Sequence, residues 1–171
     1  MITPASTCVV FVSVHSDSKR QKLEVVEDTS SDSSSDYDPE EIQQFNEEID
    51  RNGYFDFDFS AVRNDFDFKQ VSFDQSYLTH KPDTDGSLLE RLSRLAINKY
   101  NEDNGTHVEF VNVLKANYHP GAGITLYITF EAKDVATHLH LKLYQTTISY
   151  LPMDIRVMWC EPKPDIKGLF L

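Results

Sequence analysis

Cysteine is scarce in this 171-residue chain, which contains only Cys8 and Cys160. This pair gives neither a disulfide framework nor the Cys/His spacing of a zinc site, so we expect a reducing compartment. No stretch approaches the ~18 apolar residues that a membrane helix needs, and the short apolar run Cys8–Val14 lacks the basic flank of a signal peptide. The sequence therefore predicts an intracellular protein, cytoplasmic or nuclear, that does not bind a membrane.

Basic residues are also few, with 16 Lys and Arg against 28 Asp and Glu and a formal net charge of -12. Binding to nucleic-acid phosphates needs clustered Lys and Arg, so this composition argues against a nucleic-acid partner. The charge is uneven. The first 60 residues carry 14 acidic and 4 basic residues, whereas residues 86–171 carry nine of each. The acidity therefore belongs to the N-terminal part of the chain.

Within the N-terminal part, the segment Thr29–Glu41 holds few apolar groups. Such a segment buries too little surface to offset its chain entropy, so we predict that residues 1–38 are a disordered, acidic leader. Thr29, Ser33 and Ser35 each precede an acidic residue by three positions, which makes them candidate phosphorylation sites for acidophilic kinases. The alternative is a solvated spacer.

Residues 39–68 form a second region in this interpretation. Pro39–Arg51 predicts a short helix, with Pro at its first position and acidic residues in its first turn. Phenylalanine then alternates with aspartate in Tyr54–Phe68, which indicates an extended segment, either an edge strand or a segment docked on a partner. A metal site at Asp56 and Asp58 is disfavoured, because a spacing of two along a strand exposes each carboxylate singly.

The third region, residues 69–171, shows clear periodicity. Ser87 and Glu90 fit a capping box, in which Ser87 is the N-cap of a long helix that Gly105 ends. We expect its core-facing residues to share helical spacing. They are Leu88, Leu92, Leu95, Ala96 and Tyr100.

Strand patterns follow the helix. Val108–Asn117 and Ile155–Cys160 are rich in β-branched and apolar residues, and Ile124–Lys133 alternates apolar with polar side chains, so its polar face is expected to meet solvent. The apolar phase slips near Tyr144 and Gln145, which predicts a bulge or bend. The fold class is α+β: one long helix packed across a four- to five-stranded antiparallel sheet, preceded by the partly disordered acidic segment.

The helix segment Leu92–Asn101 is similar to the plant cystatin helix signature, from which it departs at Leu95, where an aromatic residue is usual. The segments VEFVNVLKA and TLYITFEAKD resemble the second and third strands of that family. The resemblance to plant cystatins and cystatin-related proteins of the cystatin/monellin superfamily covers about Ser87–Pro164. The acidic leader, with SDYDPEEIQQF and FDFDF, also resembles that of cystatin-related plant proteins.

The resemblance implies an inhibitor of papain-like cysteine proteases that fills the protease cleft with two hairpin loops and an N-terminal trunk containing glycine. The first loop motif, Gln-x-Val-x-Gly, falls on His119, Pro120, Gly121, Ala122 and Gly123, and only Gly123 is kept. The second, Pro-Trp, falls on Pro152 and Met153. For the trunk glycine there is no equivalent, because Gly86 is too near the helix and Gly53 too far. These changes imply weak inhibition, since few anchors carry most of an interface's energy.

Other readings stay open at this stage. Pro120-Gly121 also suits an ordinary turn. One alternative function is a non-inhibitory interaction module on a cystatin scaffold. An enzyme would need Glu109 or Glu131 in an enclosed pocket. His138 and His140 share a strand face but have no evident third metal ligand. We therefore expect no enzyme activity, no metal and no cofactor, and a papain-like protease or another protein as partner.

Overall fold

A computed structural model of the chain describes residues 37–135 and 141–164. These residues form two α-helices and five strands in one antiparallel sheet of order β1-β2-β3-β4-β5. The elements are α1 Pro39–Asn52, β1 Lys69–Gln70, α2 Asp85–Asn104, β2 Val108–Pro120, β3 Ile124–Asp134, β4 Leu141–Leu151 and β5 Asp154–Pro162. The predicted α+β architecture is confirmed, and so is the short helix predicted from Pro39. Of the leader predicted to be disordered, residues 1–38, the first 36 residues lie outside the described residues.

The long helix α2 begins earlier than the capping-box pattern predicts. Its N-cap is Thr84, whose side chain accepts a hydrogen bond from the backbone N–H of Ser87 at 3.2 Å. Ser87 is therefore inside the helix, and its predicted role as N-cap is wrong. Asp85 at the first helical position is fully buried and accepts hydrogen bonds from the backbone of Tyr77 and Leu78. That contact fixes the preceding loop and so sets where the helix starts.

The helix packs one face on the sheet, and that face is wider than predicted. Two adjacent rows of side chains are buried. They are Leu88, Leu92 and Ala96, and beside them Leu89, Ser93 and Ile97. Leu95 lies at the margin of this stripe and is 43% exposed, so its predicted place in the core is wrong. Gly105 ends the helix with φ +63°, the left-handed cap that the sequence predicts.

The sheet is continuous between β3 and β4, where the sequence predicts a slip. The register runs unshifted from Lys133 opposite Leu141 to Ile124 opposite Tyr150. The predicted bulge near Tyr144 is therefore wrong. The leucines before Tyr144 are exposed on the outer face, away from α2, so the apolar phase changes without an extra residue. A register shift instead lies between β4 and β5.

The outer face of the sheet is covered, which the sequence does not predict. Tyr127 and Thr129 point to that face and are only 7% and 2% exposed. The helix α1 and the segment 54–68 pack there and build a second apolar cluster with Tyr127. We call α1 and this segment together the aromatic layer. The predicted exposure of this face to solvent is therefore wrong, because the phenylalanines that alternate with aspartate need a surface to cover.

The segment 54–68 is not a strand, so the edge-strand interpretation is wrong. It contains a short 3-10 helix, Phe59–Ala61, and a turn with positive φ at Phe66 and Asp67. It docks on the sheet of its own chain. Tyr54 stacks on Tyr127 with ring centroids 4.6 Å apart, and Phe55 contacts Trp159 at 5.4 Å.

Asp56 anchors the segment 54–68 electrostatically. Its carboxylate accepts hydrogen bonds from the ammonium groups of Lys115 on β2 and of Lys163 beyond β5. Burial alone would raise the pKa of Asp56, but the two ammonium groups outweigh this effect and hold that pKa below its ordinary value. The Asp56 carboxylate therefore joins the aromatic layer both to β2 and to the residue that follows β5.

Replacing Thr84 with alanine should destabilise the protein by about 1 kcal/mol, because one N–H of the first helical turn loses its partner. The same change at Ser87 should have little effect, since Ser87 is exposed and is not the cap. Urea unfolding followed by circular dichroism measures both. A larger loss for Ser87→Ala than for Thr84→Ala would contradict the observed helix start.

Asp56→Asn should lower the free energy of unfolding by about 1 kcal/mol at neutral pH, because it removes the charged partner of two lysines. A carboxyl whose folded pKa is lowered stabilises the protein above its unfolded pKa of about 3.9 and loses this effect as the pH falls through the folded pKa. The difference between wild type and variant should therefore vanish in acid. Asp74→Asn, at an exposed position, is the matched control. A difference that persists undiminished in acid would contradict the role of the ion pairs.

Candidate functional site

The two hairpin turns singled out in the sequence lie at the same end of the sheet. The first joins β2 to β3 between the paired residues Pro120 and Ile124, and the second joins β4 to β5 between Leu151 and Asp154. Ile124 is paired with Tyr150 across β3 and β4, which places both turns at one edge. We call residues 119–123 loop 1 and Pro152–Met153 loop 2.

Gly123 of loop 1 lies against the end of β4, next to loop 2. A Cβ atom added to Gly123 would lie 3.0 Å from the side chain of Leu151 and 3.2 Å from the carbonyl oxygen of Tyr150. Only glycine permits this close approach without a shift of the neighbouring strand. The two turns therefore form one continuous surface whose parts are held by the sheet.

The surface made by the two loops is apolar and exposed. Met153 is 98% exposed, and Leu151 and Ile155 beside it are also exposed. In loop 1, Pro120, Gly121 and Ala122 are exposed as well. Adjacent exposed apolar groups at a rigid edge are typical of a surface that meets a protein partner.

His119 has a different place from the rest of loop 1. It belongs to β2, where it pairs with Thr125, and its ring lies against Phe68 of the aromatic layer with centroids 6.4 Å apart. Burial lowers its pKa below the ordinary histidine value, against the opposing effects of a hydrogen bond to the backbone of Phe66 and of the charge on Asp67. The imidazole of His119 therefore contacts the aromatic layer.

The chain that precedes β1 also reaches this end of the sheet. Lys69, the first residue of β1, is paired with Tyr118, next to loop 1. Phe68 is fully buried, and the preceding residues turn back onto the outer face. Sequence reasoning that searched for a trunk glycine missed this segment. The run Asn64-Asp65, whose side chains cap the turn, is the signal that could have found it.

Comparison with known proteins agrees with this geometry. Residues 78–151 match the cystatin domain. A Solanum tuberosum multicystatin is 34% identical over 91 residues, which are 53% of this chain and 11% of that relative. This part of the chain is therefore plant cystatin-like. The described helix on a five-stranded antiparallel sheet is consistent with the cystatin fold.

Other candidate groups gain no chemistry from the structure. Burial raises the pKa of the Cys160 thiol to about 12, which opposes formation of a nucleophilic thiolate. Glu109 is exposed and pairs with Lys133 at 3.4 Å, so it does not lie in the enclosed pocket that the enzyme hypothesis requires. Within residues 37–135 and 141–164, no three His, Cys, Asp or Glu side chains gather as metal ligands, and no helix is long and apolar enough to cross a membrane.

Five residues considered in the sequence lie outside the described ranges. They are the candidate phosphorylation sites Thr29, Ser33 and Ser35 and the histidines His138 and His140. Their predicted roles stay predictions.

Gly123→Ala should displace the side chain of Leu151, because the new methyl group would overlap it. The change in loop 1 should thereby reach loop 2, which follows Leu151. We expect a loss of about 1–3 kcal/mol in the free energy of unfolding, the usual cost of an overpacked contact. Methyl NMR should show shifts at Leu151 and Met153. Ala122→Ser, at an exposed neighbouring position, is the control. Unchanged Leu151 resonances in Gly123→Ala would contradict the close approach of Gly123 to Leu151.

Proposed function

We propose that this protein is a weak inhibitor of papain-like cysteine proteases that blocks the active-site cleft with loops 1 and 2. The observation that carries the proposal is the joined apolar edge in which Gly123 of loop 1 meets Leu151 beside loop 2. Such an edge can enter a cleft as one body. It acts by occupying space near the catalytic cysteine, and it requires no reaction at the inhibitor.

Preorganisation favours binding by this edge. Each loop is a short connection between paired strands, and β3 and β4 stay in register up to Ile124 and Tyr150. Little backbone entropy remains to be lost when the loops bind, so more of the contact energy appears as affinity. Met153 is almost fully exposed and supplies an apolar, adaptable anchor.

The proposal specifies weak inhibition because the loop motifs are altered. Relative to the motifs stated above, histidine stands at position 119, glycine at 121 and methionine at 153. His119 faces the aromatic layer, so it adds little to the exposed edge. Methionine offers less rigid contact area than an aromatic residue, which reduces the energy of the anchor.

A second candidate function is a non-inhibitory interaction module on the cystatin scaffold. The observation that favours it is the burial of Phe68 in the aromatic layer, where the chain before β1 is already packed against the sheet and His119. In this case the altered loops carry no protease affinity and the acidic leader binds the partner. Because residues 37–135 and 141–164 belong to one compact unit, a test deletion should remove residues 1–36 only.

Met153→Ala should raise the inhibition constant for papain about tenfold, the effect of losing roughly 1.4 kcal/mol at an anchor. Met158→Ala is a matched control, because Met158 is also an exposed methionine, at 60%, but lies on β5 away from loop 2. Titration of papain with each purified variant, followed by substrate hydrolysis, measures the constants.

Equal loss of inhibition in Met153→Ala and Met158→Ala would contradict binding through loop 2. If the folded wild-type protein does not inhibit at tens of micromolar, the inhibitor proposal is wrong and the interaction module is favoured. In that case, partner capture by the full chain should be lost when residues 1–36 are removed.

A further inference from the structure

Sulfur-bearing side chains lie in and near loop 2, and they differ in how far solvent reaches them. Residues 37–135 and 141–164 contain three, two methionines and one cysteine. Met153 in loop 2 is 98% exposed and Met158 on β5 is 60% exposed, whereas Cys160 is only partly exposed and packs against the main core. Among the large apolar side chains that the structure describes, Met153 is the most exposed. An oxidant in solution therefore reaches the sulfur of Met153 most easily.

Cys160 is protected from oxidants by its chemistry as well as by its position. The thiolate is the form of cysteine that attacks a peroxide, and the neutral thiol is inert by comparison. Burial raises the pKa of the Cys160 thiol to about 12, so the thiolate is nearly absent at neutral pH. A methionine thioether has no proton to lose, so its reaction with a peroxide depends on access. Exposure therefore favours Met153 over both Met158 and Cys160 as the site of oxidation.

The backbone that carries Met153 does not depend on the Met153 side chain. Leu151 and Asp154 are paired across the hairpin, and the guanidinium of Arg156 donates to the carboxylate of Asp154 at 3.0 Å. Nearly all of the Met153 side chain lies in solvent, and it belongs to neither apolar cluster. A modification at the sulfur therefore alters the surface of loop 2 and leaves the fold intact.

Oxidation at this position makes an apolar surface polar. When hydrogen peroxide reacts with a thioether, an S–O bond forms and the O–O bond breaks, sulfur gives up two electrons, and the second oxygen leaves as water. The sulfoxide oxygen is a strong hydrogen-bond acceptor, and burying such a group without a donor costs free energy. The exposed neighbours Leu151 and Ile155 have apolar side chains that offer no donor. A sulfoxide at Met153 therefore weakens a contact in which loop 2 is buried against an apolar wall.

We propose that Met153 is a reversible oxidation site, at which a peroxide forms the sulfoxide and thereby weakens the binding of a protease to loops 1 and 2. Reduction by a thiol-dependent methionine sulfoxide reductase returns the thioether, as two thiols form a disulfide and the oxygen leaves as water. This inference rests on the proposed inhibitor function. It adds that oxidants lower the inhibition and that the site of this control is loop 2.

Treatment of the full-length protein with hydrogen peroxide tests the site and its effect separately. Peptide mass spectrometry follows sulfoxide formation at Met153 and Met158 over time. After catalase has removed the peroxide, papain inhibition reports the effect on binding, and circular dichroism confirms that the treated protein is folded. Met153→Leu is the resistant variant, because leucine has a similar volume and no sulfur. Met158→Leu is its matched control, at the other exposed methionine.

Oxidation should appear at Met153 before Met158 and raise the inhibition constant about tenfold, as expected for the loss of one anchor. Met158→Leu should respond like the wild type, Met153→Leu should not respond, and the reductase with dithiothreitol should restore inhibition. Faster oxidation of Met158, or an equal response of Met153→Leu, would overturn the site. Complete oxidation of Met153 with an unchanged constant would overturn the control while the inhibitor function stands. If the untreated protein does not inhibit papain, the inhibitor function and its control are both wrong, whichever methionine is oxidised first.

Discussion

Burial of β3 on both of its faces is the constraint on which the rest of the structure depends. Towards α2, its side chains Leu126, Ile128 and Phe130 are completely buried in the main core. Towards the outer face, Tyr127 and Thr129 lie beneath the aromatic layer. A strand held between two packed layers has little freedom to bend or slip, because protein interiors are close-packed. Loop 1, which ends just before the first residue of β3, is therefore held rigidly. Loop 2 is held in the same way, because β4, which leads into it, is paired with β3.

The sequence predicted the layer formed by α2 and the sheet because that layer follows from periodicity alone. Helical spacing at Leu88, Leu92 and Ala96 and alternation along β3 both depend on near neighbours in the chain. The aromatic layer was not predicted, because phenylalanine and aspartate alternate with the same period in a strand and in a segment packed on another surface. Which one forms depends on partners far away in the chain, such as Tyr127 and Lys163.

For the candidate site, the positions of the two loops could be predicted, but their contacts could not. The resemblance to plant cystatins implied loops 1 and 2, and hairpin connectivity is enough to put both at one end of an antiparallel sheet. The contact of Gly123 with Leu151 and the inward position of His119 required coordinates, since both arise from packing between strands. The helix start was missed for a related reason: burial of Asp85 against the preceding loop outweighs a good local capping pattern.

The central claim of this account is that loops 1 and 2 form the binding edge. The most direct measurement is methyl NMR of the full-length protein during titration with papain whose catalytic cysteine is replaced by alanine. The account predicts that the largest shifts fall on the methyl groups of Met153, Leu151 and Ala122, with smaller changes along β3. Binding that shifts the isoleucines of α1 and leaves those three methyl groups unchanged would contradict it.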